Sequence, residues 1–337
     1  MNKSAKMEQK RGAALLTVED LKVYFPIPQP GLFTPPLPLK AVDGVSFDVK
    51  SGETLGIVGE SGCGKSTLGR AILQLLKPTQ GRVIWLSENI AGLDAKKMRV
   101  KRKELQIIFQ DPLASLNPRM TVGDIVAEPL DSFFPRMKRD ERKKRVQEMM
   151  KHVGLLPEMV NRYPHEFSGG QAQRIGIARA MILRPKLIIC DEPVSSLDVS
   201  IRAQIINLLR DLQREFGLSL IFISHDLSVI RHVSHRILVI YLGKVMELAD
   251  ADVLNRHPRH PYTVALLAAA PIPDPEIEKA KTHYAIGDDL PSPMNPPSGC
   301  VFRTRCPKAQ EKCAREIPLL EARGAAGGSV VACHFPE

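Results

Sequence analysis

The sequence predicts an α/β fold built on a largely parallel β-sheet, with an inserted helical subdomain and a small cysteine-rich C-terminal extension. Three observations support this prediction. Short apolar runs alternate with amphipathic helical patterns, as in sheets that are covered by helices. Within each run successive residues are apolar, which is typical of parallel strands buried on both faces. After Pro271 the proline density rises and the periodicity fades, so we expect the main fold to end there.

The strands of the central sheet are predicted at residues 55–58, 107–109, 187–190 and 218–223. A helical pattern follows the first strand over residues 68–76. After the third strand, apolar residues at helical spacing predict a helix over residues 198–216, which Gly217 ends. Residues 121–162 show no strand pattern and are rich in Met, Lys, Arg and Glu, so we expect them to be part of the helical subdomain.

The composition is that of a globular protein. The 337 residues allow about two domains at roughly 150 residues each. With 44% hydrophobic and 25% charged residues, the chain is not of the disordered, collagen-like or disulfide-dense classes. No apolar run reaches the ~20 residues that a membrane span needs, and residues 1–11 lead into no apolar signal segment. A cytoplasmic protein is the expectation.

A glycine-rich loop between the first strand and its helix has the sequence of a phosphate-binding loop. It reads Gly-Glu-Ser-Gly-Cys-Gly-Lys-Ser-Thr over residues 59–67 and matches G-x-x-x-x-G-K-[ST]. Inward-turned backbone N–H groups and the helix N-terminus would bind phosphate oxygens. Lys65 would reach the β- and γ-phosphates, and Ser66 would give its hydroxyl to Mg²⁺. Cys63 takes a variable position, so we expect no redox role for it. The predicted nucleotide-binding residues are Gly59, Ser61, Gly62, Cys63, Gly64, Lys65, Ser66 and Thr67.

Two carboxylates, Asp191 and Glu192, come directly after the third predicted strand. A buried strand of a parallel sheet delivers such groups to the crevice at its carboxyl end, where ligands bind. We expect Asp191 to hold Mg²⁺, directly or through water. Glu192 is placed to polarise an attacking water as a general base.

The tetrapeptide Ser168-Gly169-Gly170-Gln171 has the S-x-x-Q spacing of a capping box and precedes an apolar helical pattern. Its glycines leave the helix N-terminus bare for an anion. The tetrapeptide resembles the signature sequence of ATP-binding cassette (ABC) ATPases. Phe167 stands before it where leucine is commoner in that family, which exchanges one apolar packing residue for another.

Other ABC motifs follow in the family's order. Gln110, after a strand, resembles the Q-loop, and Asp198, in a Ser-Leu-Asp sequence, resembles the D-loop. His225, after the fourth strand, resembles the switch histidine. Phe25, or less well Tyr24, is similar to the aromatic residue that stacks on adenine.

The resemblance covers about residues 15–270. It implies that two cassettes pair head to tail. ATP would be held between the phosphate loop of one cassette and the signature helix of the other. It implies four catalytic residues, which are Lys65, Gln110, Glu192 and His225. It implies further nucleotide contacts by Phe25, Gln110, Ser168, Gly169, Gly170, Gln171, Asp191 and Asp198, and Mg²⁺ contacts by Ser66, Gln110 and Asp191.

Residues 110–119, the extended Q-loop sequence, resemble the ATPases of the oligopeptide and dipeptide importer subfamily. Residues 260–263, 290–293 and 297–307 are similar to the C-terminal region of that subfamily, most of all to the second of its two ATPases. The resemblance implies an ATPase that powers peptide import. Its implied partners are a second ABC ATPase subunit in a heterodimer, two integral membrane permease subunits and, indirectly, an external peptide-binding protein. Its implied place is the cytoplasmic face of the inner (cell) membrane, as a peripheral protein, and the segment after Gln110 would touch a membrane subunit.

We therefore expect a flexible tail over residues 1–14, an ABC ATPase domain over residues 15–270 and a Pro/Cys-rich extension over residues 271–337. The helical subdomain is expected at about residues 112–183. These boundaries follow from composition and from the extent of the resemblance.

Four of the six cysteines lie in the extension, with the spacing C-x5-C-x6-C-x19-C: Cys300, Cys306, Cys313 and Cys333. Persistent disulfides are rare in cytosolic proteins, so the cluster predicts a metal site. Four thiolates suit either Zn²⁺ or a [4Fe-4S] cluster. The family resemblance and the Cys306-Pro307 pair favour iron-sulfur, and unliganded thiols are a third interpretation. Such a cluster would fasten a proline-rich tail that has little core of its own.

The net charge of +10 leaves an alternative function open, a soluble cassette ATPase that acts on nucleic acid or ribosomes. Proteins of that kind usually carry two cassettes or a long coiled-coil insertion, and this sequence has neither. A metal-bearing regulatory protein that uses the cassette as a switch is a third hypothesis. We expect no nucleic-acid partner.

Overall fold

The computed structural model describes residues 14–30, 34–269, 291–323 and 328–337. They form two compact units. The first unit contains residues 50–53 and 93–223, and the second contains the described parts of residues 14–49, 54–92 and 224–337.

The strands, in chain order, are β1 (Ala14–Ile27), β2 (Leu37–Lys50), β3 (Thr54–Val58), β4 (Gln80–Trp85), β5 (Glu88–Asn89), β6 (Leu105–Ile108), β7 (Leu187–Asp191), β8 (Ser219–Ser224), β9 (Arg236–Tyr241), β10 (Lys244–Asp250), β11 (Glu321–Arg323) and β12 (Ser329–Val331). The helices are α1 (Lys65–Ile72), α2 (Ala95–Arg102), α3 (Val122–Phe133), α4 (Arg139–His152), α5 (Gly169–Met181), α6 (Val199–Phe216), α7 (Leu227–Val233), α8 (Ala251–Arg256), α9 (Pro261–Ala269) and α10 (Glu311–Arg315). Two 3₁₀ helices span Pro157–Asn161 and Pro164–Glu166.

The first unit joins parallel strands to a group of helices. Strand β7 pairs in parallel with β6 on one side and with β8 on the other. All residues of β7 and β8 are buried, which explains their unbroken apolar sequences. Between β6 and β7 the chain forms α3, α4, two 3₁₀ helices and α5. All regular elements of the segment predicted to be helical are therefore helices.

The second unit contains two sheets. One is antiparallel at its described pairings and has the strand order β2-β1-β4-β5. In the other, β3 and β9 are parallel, whereas β10 is antiparallel to β9 and to β12, and β12 is antiparallel to β11. The chain's single tryptophan, Trp85, is fully buried opposite Leu16 on the neighbouring strand β1. The C-terminal region therefore adds strands to a sheet of this unit.

The four predicted strands are confirmed, with shifts of one or two residues at their ends; Phe109 lies outside β6. The helix predicted over residues 198–216 is confirmed as α6, and Gly217 ends it in the left-handed conformation, with a φ of 66°. The helix predicted over residues 68–76 is present as α1, but its bounds differ. It spans Lys65–Ile72, and Leu75 is an exposed residue beyond its end.

The prediction of a largely parallel sheet is correct for only part of the fold. Strands β1 and β2 are each 14 residues long, and over much of their length buried residues alternate with more exposed ones. Strand β1 is antiparallel to β4. A search for continuous apolar runs passes over such strands, because only one of their faces is buried.

The predicted tail over residues 1–14 lies outside the described residues except for Ala14, which begins β1. The boundary predicted at residues 270/271 also lies outside them. The domain boundaries therefore stay predictions. None of the helices in the described part of the chain combines the length and the apolar character needed to cross a bilayer.

Candidate functional site

The predicted phosphate-binding loop lies in the second unit, between the fully buried strand β3 and helix α1. Its glycines are required by close backbone contacts. A Cβ atom on Gly59 would lie 2.1 Å from the carbonyl oxygen of Ile240, and one on Gly64 would lie 2.0 Å from that of Ala41. Gly64 also has a φ of 100°, which side chains rarely allow. The loop is therefore packed against backbone at both ends, while Ser61 and Gly62 between them are exposed.

Lys65 begins α1, and its side chain is turned back into the loop. Its Nζ donates hydrogen bonds to the carbonyl oxygens of Gly59, at 2.8 Å, and of Glu60, at 2.9 Å. The residue is only 4% exposed, so its charge is held in a fixed position. Burial raises the pKa of the Cys63 thiol although Lys65 lies beside it. The absence of a redox role for Cys63 stays a prediction.

The two aromatic candidates for adenine stacking are neighbours in β1 but differ in their surroundings. The Tyr24 hydroxyl donates a hydrogen bond to Asp43 Oδ1 at 2.5 Å, and Asp43 also pairs with Lys244 at 2.8 Å. Burial, together with the Asp43 carboxylate, raises the pKa of Tyr24. The Tyr24 ring is thus tied to its own sheet. Phe25, a half-buried hydrocarbon ring, remains the better candidate for a base to stack on.

Gln110 and Glu192 are brought together in the first unit. Gln110 follows β6, Glu192 follows β7, and Nε2 of the amide donates to Oε2 of the carboxylate at 3.2 Å. Glu192 has a φ of 47°, a conformation that residues other than glycine adopt at a cost of roughly 1–3 kcal/mol and that clusters at functional sites. Its backbone N–H donates to the carbonyl of Ile223 at 3.1 Å. Asp191, at the end of β7, is 1% exposed. The end of the parallel strands therefore presents the acidic residues with a fixed geometry.

The helix after Ser168 begins as predicted. Ser168 Oγ accepts from the N–H of Gln171 at 3.4 Å, and Gln171 Oε1 accepts from the N–H of Ser168 at 3.1 Å, so the capping box is confirmed. Ser168 and Gly169 are exposed. A Cβ atom on Gly170 would lie 2.5 Å from Ile201 Cγ2, so this glycine allows α5 and α6 to approach closely. The exposed helix N-terminus offers N–H groups to an anion.

Asp198 and His225 are both exposed, and each lies next to the helix or strand that the sequence predicts for it. Asp198 is the residue before α6 in the first unit, and His225 directly follows β8 and lies in the second unit.

Sequence reasoning missed Arg179, which connects the signature helix to the extended Q-loop. Arg179 lies near the end of α5, and its Nη1 donates to the carbonyl of Ser115 at 2.7 Å. Burial lowers the pKa of the Arg179 guanidinium. The partners are 64 residues apart, and no local pattern pointed to their contact.

The four C-terminal cysteines line a single cavity, together with His260, Phe302 and His334. Burial raises the pKa of Cys300 to about 11 and raises those of Cys306 and Cys333 as well. Throughout the described ranges, however, no group of three or more His, Cys, Asp or Glu side chains is arranged to hold a metal ion. The structure thus brings the cysteines together without supporting the predicted metal, which stays a prediction.

Two family models match the chain. The ABC transporter model matches residues 42–195, and the model of the oligopeptide/dipeptide transporter C-terminal region matches residues 246–313.

Curated relatives match over nearly the whole chain. The oligopeptide transport ATP-binding protein OppF of Escherichia coli (strain K12) is 60% identical over 309 residues, which are 91% of this chain and 92% of that protein. OppF of Salmonella typhimurium (strain LT2) is 58% identical, with 94% and 95% covered. The oligopeptide transport ATP-binding protein AppF of Bacillus subtilis (strain 168) is 53% identical, with 95% and 97% covered.

Solved structures match the cassette part. A dimeric post-hydrolysis state of the ATP-binding cassette MJ0796 bound to ADP and Pi is 30% identical, with a TM-score of 0.62; the match covers 70% of this chain and 98% of that one. CbiO1 from Clostridium perfringens, part of the ABC transporter complex CbiONQ, is 28% identical with a TM-score of 0.61, and the match covers 72% and 90%.

Proposed function

The chain belongs to the ABC transporter ATP-binding proteins with an oligopeptide/dipeptide transporter C-terminal region, and from this premise we propose that its ATP hydrolysis powers peptide import through a membrane transporter. The chain is an ABC-type ATPase. The observation that carries the proposal is its likeness to oligopeptide transport ATP-binding proteins over more than nine tenths of both chains. The alternative, a cassette protein acting on nucleic acid or ribosomes, is not favoured, because those relatives are transport proteins.

The residues that bind ATP follow from the chemistry of each group. The phosphate loop, residues 59–67, supplies backbone N–H groups and the buried ammonium of Lys65 to the phosphates. Phe25 stacks on adenine. Ser168–Gln171 offer a bare helix N-terminus to the ATP held by another cassette, and Asp198 lies in the same contact. The dimeric state of a related cassette supports a pairing of this kind.

Hydrolysis needs a metal ion, a positioned water and a group that accepts its proton. Mg²⁺ prefers oxygen ligands, which Ser66, Gln110 and Asp191 all offer, and when bound it neutralises the developing charge on the phosphates. Glu192 orients the water and takes its proton, and the hydrogen bond from Gln110 holds the Glu192 carboxylate. His225 contacts the γ-phosphate. Hydrolysis removes the charge that holds the pair of cassettes closed.

The partners of the chain are membrane permease subunits and a second cassette. We propose that the second cassette is a different ATPase, so that the pair is a heterodimer, and that an external peptide-binding protein delivers the peptide. The chain is a peripheral subunit of a membrane transporter. Its place in this proposal is the cytoplasmic face of the inner membrane, where ATP is available.

Affinity purification of the tagged chain from detergent-solubilised membranes is expected to recover integral membrane subunits and a second cassette. Leu113, 48% exposed in the segment after Gln110, is suited to contact a membrane subunit. Leu113→Asp is expected to reduce that recovery at least several-fold, because a charge would be buried in the contact. Leu319→Asp, at a residue 72% exposed in the C-terminal region, is the matched control. Recovery of the chain with no integral membrane protein would count against the importer.

We further propose that Cys300, Cys306, Cys313 and Cys333 hold a [4Fe-4S] cluster, with Zn²⁺ as the alternative. All four cysteines line one small cavity, which supports a shared role for their thiols. Four thiolates suit either group, and the family resemblance favours iron-sulfur. When the cluster is bound, the cysteines would fasten the segments of the C-terminal region to one another.

Anaerobic purification is expected to yield a brown protein with equal amounts of iron and acid-labile sulfide. Cys306→Ser is expected to lose most of the colour, because one of four ligands is removed. Cys190→Ala, which removes a buried thiol from β7, serves as the control and should keep the colour. A colourless protein with one zinc per chain would contradict the iron-sulfur proposal.

A further inference from the structure

We propose that Arg305, carried by the C-terminal region, is a positioning residue for the phosphate-binding loop and acts by holding and neutralising the carboxylate of Glu60. Glu60 is the second residue of the loop, and Arg305 lies 245 residues later, next to Cys306. The inference rests on the proposed ATPase function. It assigns the C-terminal region a part in nucleotide binding as well as in folding.

The contact between the two side chains is direct and largely shielded from water. Arg305 Nη1 lies 3.0 Å and 2.9 Å from the two carboxylate oxygens of Glu60. The same nitrogen lies 3.4 Å from the hydroxyl of Tyr241, and the guanidinium lies 5.7 Å from the centroid of that ring. The Arg305 side chain is 9% exposed and that of Glu60 27%. Since solvent and salt screen a partly buried pair much less than an exposed one, the pair is strong enough to fix Glu60.

The backbone of Glu60 is held as well. Its N–H donates to the hydroxyl oxygen of Tyr262, in α9, at 3.0 Å. Its carbonyl oxygen accepts from Lys65 Nζ at 2.9 Å. Side chain, N–H and carbonyl of this one loop residue therefore each have a partner, and two of the three partners come from the C-terminal part of the chain. A shift of Glu60 would also move Lys65, the cation expected to bind the phosphates.

Arg305 is itself fixed by a cluster of buried aromatic residues. Its backbone N–H donates to the carbonyl of Phe302 at 3.0 Å. The Phe302 ring lies 5.3 Å from the rings of both Tyr241 and Tyr262 and 5.7 Å from that of His260. All four rings are buried. The turn that carries Arg305 is thus anchored to the rings whose hydroxyl groups reach Glu60 and Arg305.

The charges explain why this contact matters for the nucleotide. The loop must bind several negative phosphate oxygens, yet Glu60 places a carboxylate within it. Lys65 alone only balances that carboxylate, whereas Lys65 and Arg305 together leave a net positive charge. Removing Arg305 would leave the loop without a net positive charge to attract the phosphates and would free the Glu60 side chain to move. Weaker nucleotide binding is the consequence.

The first test compares the affinity of the full chain for Mg²⁺–AMP-PNP by calorimetry. Arg305→Ala is expected to weaken binding by about tenfold, the loss of one charge interaction in a partly buried site. In hydrolysis assays with the transporter it should raise KM for ATP with little change in kcat. Arg305→Lys should recover part of the affinity, because a single nitrogen makes the contact. Arg303→Ala is the matched control, since Arg303 contacts Ser298 in the same segment and should stay within about twofold of the native affinity.

The second test asks whether Arg305 acts through Glu60. In a Glu60→Gln background, Arg305→Ala is expected to cost less than about threefold, because no carboxylate remains to be neutralised. An unchanged tenfold loss in that background would overturn the inference, since Arg305 would then act by stabilising the C-terminal region. Native affinity of Arg305→Ala would overturn it equally. If the native chain itself fails to bind AMP-PNP, the proposed ATPase function fails instead.

Discussion

Replacing Glu192 with glutamine is expected to reduce ATP hydrolysis by a factor of about 100 to 10,000, the range that general acid–base groups contribute. ATP binding should be retained. Glutamine has nearly the shape of glutamate, and its carbonyl oxygen can still accept the hydrogen bond that Gln110 Nε2 makes at 3.2 Å. What the variant lacks is the negative charge that takes a proton from water. Phosphate release by the reconstituted transporter measures the first effect and nucleotide affinity the second.

The retained nucleotide gives this prediction a second readout. If ATP closes the pair of cassettes and only hydrolysis opens it, the Glu192→Gln chain mixed with the second cassette and ATP should accumulate as a dimer in size-exclusion chromatography. Glu158→Gln, at an exposed residue, is the control for the loss of one carboxylate and should behave as the native chain does. Unchanged hydrolysis by Glu192→Gln would remove this residue from its catalytic role.

Replacing Lys65 with alanine is expected to weaken ATP binding by about 100-fold or more and to abolish peptide uptake. Hydrogen bonds from an ammonium to phosphate oxygens are charge-assisted and about twice as strong as neutral ones. The ammonium is also buried and bonded to the carbonyl oxygens of Gly59 and Glu60, so its loss leaves the loop without an internal support. Calorimetry with Mg²⁺–AMP-PNP and uptake of a labelled peptide by cells measure the two effects.

Lys97→Ala provides the matched control for Lys65→Ala. Lys97 is 69% exposed and pairs with Asp94 on the surface helix α2, so its removal should change neither nucleotide affinity nor uptake. Thermal unfolding of each variant separates a loss of the loop from a loss of the fold. Peptide uptake at the native rate by Lys65→Ala would contradict the assignment of the phosphate-binding loop.

Local sequence was sufficient for the features whose cause is local. The capping box at Ser168 and Gln171 is formed by residues three apart, and both of its hydrogen bonds are present. The buried strand β7 is a short run of apolar residues that ends in Asp191. The C-terminal glycine of α6 needs only its own left-handed φ. Each of these features depends on spacing and residue type within one element.

The long strands β1 and β2 are not predicted from the sequence, and the reason is physical. Their residues alternate between buried and exposed positions over much of each strand, so they lack the unbroken apolar runs that identified β7 and β8. Helix α1 ends at Ile72, before its apolar pattern does. Leu75 belongs to that pattern but lies beyond the helix as an exposed residue.

The phosphate-binding loop, the acidic residues after β7 and the bare N-terminus of α5 can be predicted from the amino-acid sequence alone, because each requires a set of residues at fixed local spacing. Which distant groups meet depends on the folded chain. Gln110 contacts Glu192 across 82 residues, Arg179 contacts Ser115 across 64, and Arg305 contacts Glu60 across 245. Such contacts depend on how strands and helices pack, and no short stretch of sequence encodes that packing.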